Sequence, residues 1–269
     1  MRFGVAGYPV AHSRSPQLHE AAYAKFNIDA EYQRLPIPPE LFAETVRALP
    51  ASGFVGINVT IPHKEAAAAL ADEVSAAVEA VGAANTLTFE DGRIVANNTD
   101  APGMLQAIGR PIEGVRALVL GAGGTGRAAA WALQDAGAEV SVHNRTVERA
   151  VKLAEDLHVA VAFETHGGAD FPLIVNTTAV GMDSQIGETQ VLEALGIELT
   201  KLSKGTTIVD FVYRDGGSPL TNAARDAGFA VIDGAELLAR QGALSFEIWF
   251  GRPAPLQAMR EALVGTSRP

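Results

Sequence analysis

The chain has 269 residues, 48% of them apolar and 19% charged, which is globular and long enough for one large core or two domains. Its formal net charge of −10 disfavours nucleic acid as a partner, and the lack of cysteine removes disulfides, thiolate nucleophiles and cysteine zinc sites. No apolar run reaches the roughly eighteen residues that cross a membrane, and the N-terminus meets Pro9 and His12 too early for a signal sequence. The expectation is a cytoplasmic protein with no membrane partner.

Residues 2–6 read as a first strand. Ser15 followed by Pro16 reads as a helix start, with Ser15 as N-cap and the helix running to about residue 26. Ser13 has no such role, and two hydroxyls beside a helix N-terminus also make a cradle for a carboxylate. Both readings stand at this point. Residues 31–35 read as a strand and 39–49 as a helix. Residues 56–60 are strand-like and end before Pro62, with Asn58 and Thr60 two apart on one face. Lys64 opens an alanine-rich helix just past that strand's carboxyl end, the edge where α/β sheets place ligands. A positive charge there opposes the helix dipole, so a role in a site competes with a merely solvated lysine. Gly82-Ala83-Ala84-Asn85-Thr86 leads into a hairpin, 86–89 and back to 96, turning at Asp91-Gly92. Asp100 is placed to cap a helix from Ala101, which would bridge into a second domain.

Residues 117–120 are an apolar run short enough for a buried parallel strand. Gly121-Ala122-Gly123-Gly124-Thr125-Gly126 follows, and holds G-x-G-x-x-G at Gly121, Gly123 and Gly126. In such a turn the first glycine permits the bend, the second lets backbone approach a pyrophosphate, and the third lets the helix pack on the sheet. Residues 127–136 read as that helix, ended by Gly137, and 139–143 alternate as a second strand. Its end has no carboxylate to hold ribose hydroxyls, but reads His143-Asn144-Arg145-Thr146, with Arg149 one turn on. A guanidinium there suits a 2′-phosphate, so the cofactor expected is NADP and not NAD; a solvated arginine is the alternative. Further strands are expected at 173–175, 207–210 and 229–232. The residues ending them include Thr177, Val212 and Gly234, further candidates for cofactor contact. Residues 166–172 and 181–206 read as loop with scattered helix. A long helix at 235–250, with Gln241 in its middle, and a last one near 255–263 follow the final strand, so the chain is expected to return to its first domain. The expected fold is two α/β domains, residues 1–100 plus 236–269 and residues 101–235, the second of Rossmann type.

A nicotinamide domain implies hydride transfer, and a carbonyl that accepts hydride also needs a proton. No lysine lies four residues after any tyrosine, and no H-E-x-x-H is present. Lys64 and Asp100 remain as the candidate pair. Together with His12-Ser13-Arg14-Ser15-Pro16, the segment Asn58 to Lys64, Gly82 to Thr86, Asn98-Thr99-Asp100, the glycine turn with Asn144-Arg145-Thr146, Asp210 with Tyr213, Asp233-Gly234, and Gln241 with Trp249, the chain resembles the shikimate dehydrogenases over essentially its whole length. The resemblance implies NADP-linked interconversion of 3-dehydroshikimate and shikimate in aromatic amino-acid biosynthesis, an N-terminal substrate-binding domain beside the NADP domain, a catalytic cleft between the two, and an assembly compatible with a homodimer. It also implies roles: Ser13, Ser15 and Tyr213 for the substrate carboxylate, Asn58, Thr60, Asn85 and Gln241 for hydroxyls or the ring edge, and Lys64 with Asp100 for catalysis. The chain departs from the family pattern at Tyr8, at Glu20 after His19, at residues 214–217 and at Ala235-Glu236, and none of these is a carried-over catalytic residue. A quinate-preferring or NAD-using relative, and a non-enzymatic NADP sensor, are the rival readings.

Overall fold

A computed structural model describes residues 1–183 and 185–264. The chain divides into two compact units, Met1–Gly103 with the segment from Leu238 onward, and Met104–Leu237.

The first unit is built on β1 (Arg2–Gly7), α1 (Ser15–Phe26), β2 (Glu31–Pro36), α2 (Phe42–Ala48), β3 (Phe54–Val59), α3 (Lys64–Leu70), β4 (Glu73–Val74), α4 (Ala76–Val81), β5 (Thr86–Glu90), β6 (Arg93–Asn97) and the start of α5 (Asp100–Ile108). Its six-stranded sheet runs β2-β1-β3-β5-β6-β4. β1 pairs parallel with β2 and β3, whereas β5 runs antiparallel to both β3 and β6. The hairpin turn holds Asp91 at φ 49° and Gly92 at φ 77°, the two positive angles that a two-residue turn of this hand requires. The helix expected over 39–49 is split, because a 3₁₀ turn, Pro39–Leu41, precedes α2. β4 gave no sequence signal, since two residues cannot show a period.

The second unit holds β7 (Arg116–Leu120), α6 (Gly124–Asp135), β8 (Glu139–His143), α7 (Val147–Leu157), β9 (Ala160–Val161), β10 (Leu173–Asn176), α8 (Glu188–Leu195), β11 (Thr207–Asp210), α9 (Pro219–Asp226) and β12 (Ala230–Ile232). Every strand pair in it is parallel, in the order β12-β11-β10-β7-β8-β9. The order reverses between β7 and β10, the switch point of a doubly wound sheet. Leu118, Leu120, Ile174 and Ile208 from the strands pack with Val191, Leu195 and Leu220 from α8 and α9. α8 lies inside the stretch read as loop with scattered helix, a reading that gave the helix no bounds. Its eight residues bury only Val191 and Leu195, too few repeats for the helical period to show.

α10 (Gly234–Phe250) and α11 (Leu256–Val264) complete the fold. In the first unit Phe246 and Met259 from these helices close a core with Phe3, Leu18, Ala22 and Tyr23. Among the described residues no helix is long and apolar enough to cross a membrane.

A buried histidine packs against that core, its ring near Tyr23 and Trp249. His19 on α1 is fully buried, its ring stacks on Tyr32 with centroids 4.5 Å apart, and neither ring nitrogen has a hydrogen-bond partner among the described residues. Burial pushes its pKa down from 6.5 to about 3. The unfolded chain therefore takes up this proton first, and stability falls as pH drops below 6.5. Between pH 8 and pH 5 the loss is about 2 kcal/mol. His19→Phe keeps a ring against Tyr32 and has nothing to protonate. Urea unfolding at the two pH values should show the difference shrinking by about that amount relative to wild type. An unchanged difference would place the source elsewhere.

Candidate active site

Lys64 is the first residue of α3, one short connection beyond β3. Its Nζ lies 2.5 Å from Asp100 Oδ2, with side chains only 13% and 8% exposed. Asp100 is not the cap that the sequence predicted. Asn98, two residues earlier, accepts the Ala101 N–H at 3.2 Å, and α5 begins at Asp100 itself. Asp100 is thereby released for the site: its other oxygen accepts Asn85 Nδ2 at 2.9 Å. Asn85 follows the left-handed Gly82 that ends α4, and its side chain is pinned at both ends. Oδ1 accepts the Thr99 N–H at 2.7 Å, and Nδ2 also reaches Gln241 Oε1 on α10 at 3.3 Å. Lys64, Asp100, Asn85 and Gln241 thus form one contiguous hydrogen-bonded group. An ammonium held against a carboxylate, beside amides that can meet hydroxyls, can bind a polyol and supply or take a proton.

Asn58 and Thr60 part company. Thr60 lies past the end of β3, half-buried, and its side chain makes no hydrogen bond among the described residues. The Asn58 amide is turned into the interior: Oδ1 accepts the Tyr32 hydroxyl at 2.7 Å, and Nδ2 donates to Ser245 Oγ at 2.8 Å and Thr86 Oγ1 at 3.1 Å. Ser245 Oγ also lies 2.8 Å from Thr86 Oγ1 and donates to the Gln241 carbonyl at 3.0 Å. Asn58 therefore reaches the Lys64 group through Thr86, Ser245 and α10. Sequence reasoning missed Tyr32 and Ser245. A tyrosine in a strand and a lone serine in an apolar helix carry no motif.

Ser15 is the first residue of α1, with Arg14 as the residue before it, and makes no side-chain cap. The cap reading falls, because Ser15 already lies inside the helix, where its own N–H donates to Ser13 Oγ at 3.3 Å. The two hydroxyl oxygens lie 3.3 Å apart, and the Arg34 guanidinium grips the Ser13 carbonyl through Nε and Nη2 at 2.9 and 2.6 Å. A paired hydroxyl cradle with a cation at its back suits a carboxylate.

In the second unit the predicted cofactor residues fall at the carboxyl edge of the sheet. Gly121 has φ 111°, and its N–H donates to the His143 carbonyl at 2.8 Å. A Cβ on Gly126 would sit 2.2 Å from the Gly121 carbonyl, so no side chain fits where α6 crosses the turn. A Cβ on Gly123 would meet nothing within 4 Å, which leaves the backbone open to a ligand's approach. Ala122 lies within this turn, and Gly124 and Thr125 open α6 at the positive end of its dipole. Beyond β8, Asn144 Nδ2 donates to the Thr146 carbonyl at 2.8 Å and shapes the turn. Arg145 and Arg149 are exposed there and form no ion pair among the described residues. Thr177 follows β10 and Val212 follows β11, and Gly234 approaches so closely that its Cβ would lie 2.5 Å from the Val212 carbonyl. The arrangement fits a dinucleotide with a phosphorylated ribose: a glycine cradle, a helix N-terminus and two exposed guanidinium groups. Tyr213, also in this unit, donates its hydroxyl to Asp215 Oδ1 at 2.8 Å.

Family models match residues 5–87 as a shikimate dehydrogenase substrate binding domain, 104–211 as shikimate / quinate 5-dehydrogenase and 234–264 as a shikimate 5′-dehydrogenase C-terminal domain. The NADP(+) shikimate dehydrogenase of Anaeromyxobacter dehalogenans strain 2CP-1 is 43% identical across 97% of this chain and 95% of its own. The chain belongs to the shikimate dehydrogenase family. The shikimate dehydrogenase of Acidiphilium cryptum is 44% identical over 92% of this chain and 90% of its own. The shikimate 5-dehydrogenase of Thermus thermophilus, solved in complex with NADP(H) and shikimate, superposes with a TM-score of 0.87 at 38% identity, covering 98% of both chains. The family's substrate binding domain, as matched here, contains Ser13, Ser15, Asn58, Thr60, Lys64 and Asn85, while Asp100 lies between the matched segments and Gln241 in the last of them.

Proposed function

We infer that Lys64 and Asp100 carry the proton chemistry of an NADP-dependent oxidoreductase that interconverts 3-dehydroshikimate and shikimate. The single observation behind this reading is the contact of 2.5 Å between them, extended through Asn85 to Gln241. NADPH, when bound, supplies the hydride. Lys64 meets the negative charge that then develops on the carbonyl oxygen and hands over a proton, while Asp100 orients the ammonium and accepts a substrate hydroxyl. Asn85 and Gln241 take neighbouring hydroxyls, and Thr60 reaches the ring edge. Ser13 and Ser15 take the carboxylate, which fixes the ring before the transfer. Gly121, Ala122, Gly123, Gly124, Thr125 and Gly126 cradle the pyrophosphate, Asn144, Arg145, Thr146 and Arg149 hold the 2′-phosphate, and Thr177, Val212 and Gly234 line the rest of the cofactor. Asn58 acts on the site from behind, through Ser245 and Thr86. A cytoplasmic location and a homodimer belong to the same proposal and are open to fractionation and sedimentation.

Purified protein assayed with shikimate or quinate, and with NADP or NAD, should oxidise shikimate with NADP most efficiently. A kcat/KM for quinate, or for NAD, equal to or above these would favour the broader or NAD-linked enzyme. No turnover with a tightly bound NADP would indicate a sensor.

A further inference from the structure

The carboxyl edge of the second unit holds a buried carboxylate that this reading leaves unused. Asn176 ends β10 and Asp210 ends β11; they are register partners, and both are fully buried. Asn176 Nδ2 donates to Asp210 Oδ1 at 2.8 Å, and the Val212 N–H donates to the same oxygen at 3.0 Å. Ser218 Oγ donates to Asp210 Oδ2 at 2.5 Å while accepting the Thr221 N–H at 3.1 Å as the cap of α9. Asn176 turns its oxygen the other way, toward the Thr178 N–H at 3.1 Å and the Thr178 hydroxyl at 2.7 Å. The pair therefore fastens the loop after β10 to the loop after β11.

Those two loops serve one half of the dinucleotide site. In a doubly wound sheet the halves of a dinucleotide lie on either side of the switch point, here between β7 and β10. Arg145 follows β8, on one side. Thr177 and Val212 follow β10 and β11, on the other. Both loops touch positions where nothing can give: Thr177 Oγ1 lies 2.6 Å from where a Gly121 Cβ would be, and the Val212 carbonyl 2.5 Å from a Gly234 Cβ. A buried carboxylate is costly to keep. Burial, with Asp233 adding to it, raises the Asp210 pKa from 3.8 to about 6 against the bonds from Ser218, Val212 and Asn176.

We propose that Asp210 and Asn176 are positioning residues that hold the Thr177 and Val212 loops in register for the nicotinamide half of NADP. The proposal rests on the NADP reading above. Asp210→Ala should weaken NADP roughly tenfold and lower kcat, while adenosine 2′,5′-bisphosphate, which has no nicotinamide, binds as to wild type. Asp210→Asn should recover most of both losses, since its amide oxygen accepts from Val212 and Asn176 and its nitrogen can donate to Ser218 Oγ. If Asp210→Ala does not fold, Asn176→Ala carries the same comparison. Parallel loss of NADP and the bisphosphate would make the pair a general prop of the domain and overturn the proposal, as would an unchanged NADP affinity and kcat. Wild-type protein that binds neither ligand would overturn the NADP reading itself, before any variant is made.

Discussion

Lys64→Ala should lower kcat by a factor on the order of 10²–10⁴ while the protein stays folded and still binds NADP. The side chain stands at the start of α3 and is only 13% exposed, so its alkyl chain is largely covered. Its removal leaves Asp100, 8% exposed, without the ammonium at 2.5 Å. Asn85 still donates to Asp100, which limits the structural cost. A group that acts only as charge develops lowers kcat and kcat/KM together, whereas one that merely binds substrate raises KM alone. Steady-state kinetics with shikimate decide between these. A kcat near wild type with a raised KM would make Lys64 a binding residue and remove it from the catalytic role.

Arg145→Ala should weaken NADP roughly 10- to 150-fold, the equivalent of about 1.5–3 kcal/mol for a lost charge-assisted contact, and leave NAD nearly untouched. The two cofactors differ only in the 2′-phosphate, so the comparison cancels every effect on the rest of the site. Arg145 is exposed beyond β8 without an ion-pair partner among the described residues, and no carboxylate stands in its turn. Titration of both cofactors by fluorescence or calorimetry gives the result. Equal losses would mean that Arg145 does not read the phosphate, and Arg149, one turn along α7, would become the candidate.

The glycine turn was legible because all of its parts are adjacent in sequence: a strand, three spaced glycines and a helix lie within one short stretch. The hairpin at Asp91-Gly92 was legible for the same reason, since the turn needs positive φ at both residues. Asp100 was read through the rule for helix starts, and the rule named the wrong side chain. Asn98 satisfies the helix, and the carboxylate faces Lys64 and Asn85 instead. Local chemistry could not choose between two polar residues two positions apart. Tyr32 and Ser245, and the pairing of Asn176 with Asp210, acquire meaning only from partners far away in the chain, as Asn58 and Ser245 do across 187 positions. No periodicity or spacing records such a pairing. The bounds of α8 were not legible, because two buried residues one turn apart are too little pattern to set where a helix begins and ends.

Ser245 is shared by Asn58, Thr86, Thr99 and the Gln241 carbonyl. A hydroxyl with several claimants makes their mutational effects depend on one another. Changes at these positions should show strong epistasis, because each single replacement strands a buried donor or acceptor that a second could have accommodated. A library that varies them one at a time would score nearly every member as damaged, while simultaneous randomisation would retain combinations in which the hydrogen bonds close again. Evolution toward a different polyol would then have to pass through paired substitutions behind the pocket rather than through gradual change at its wall.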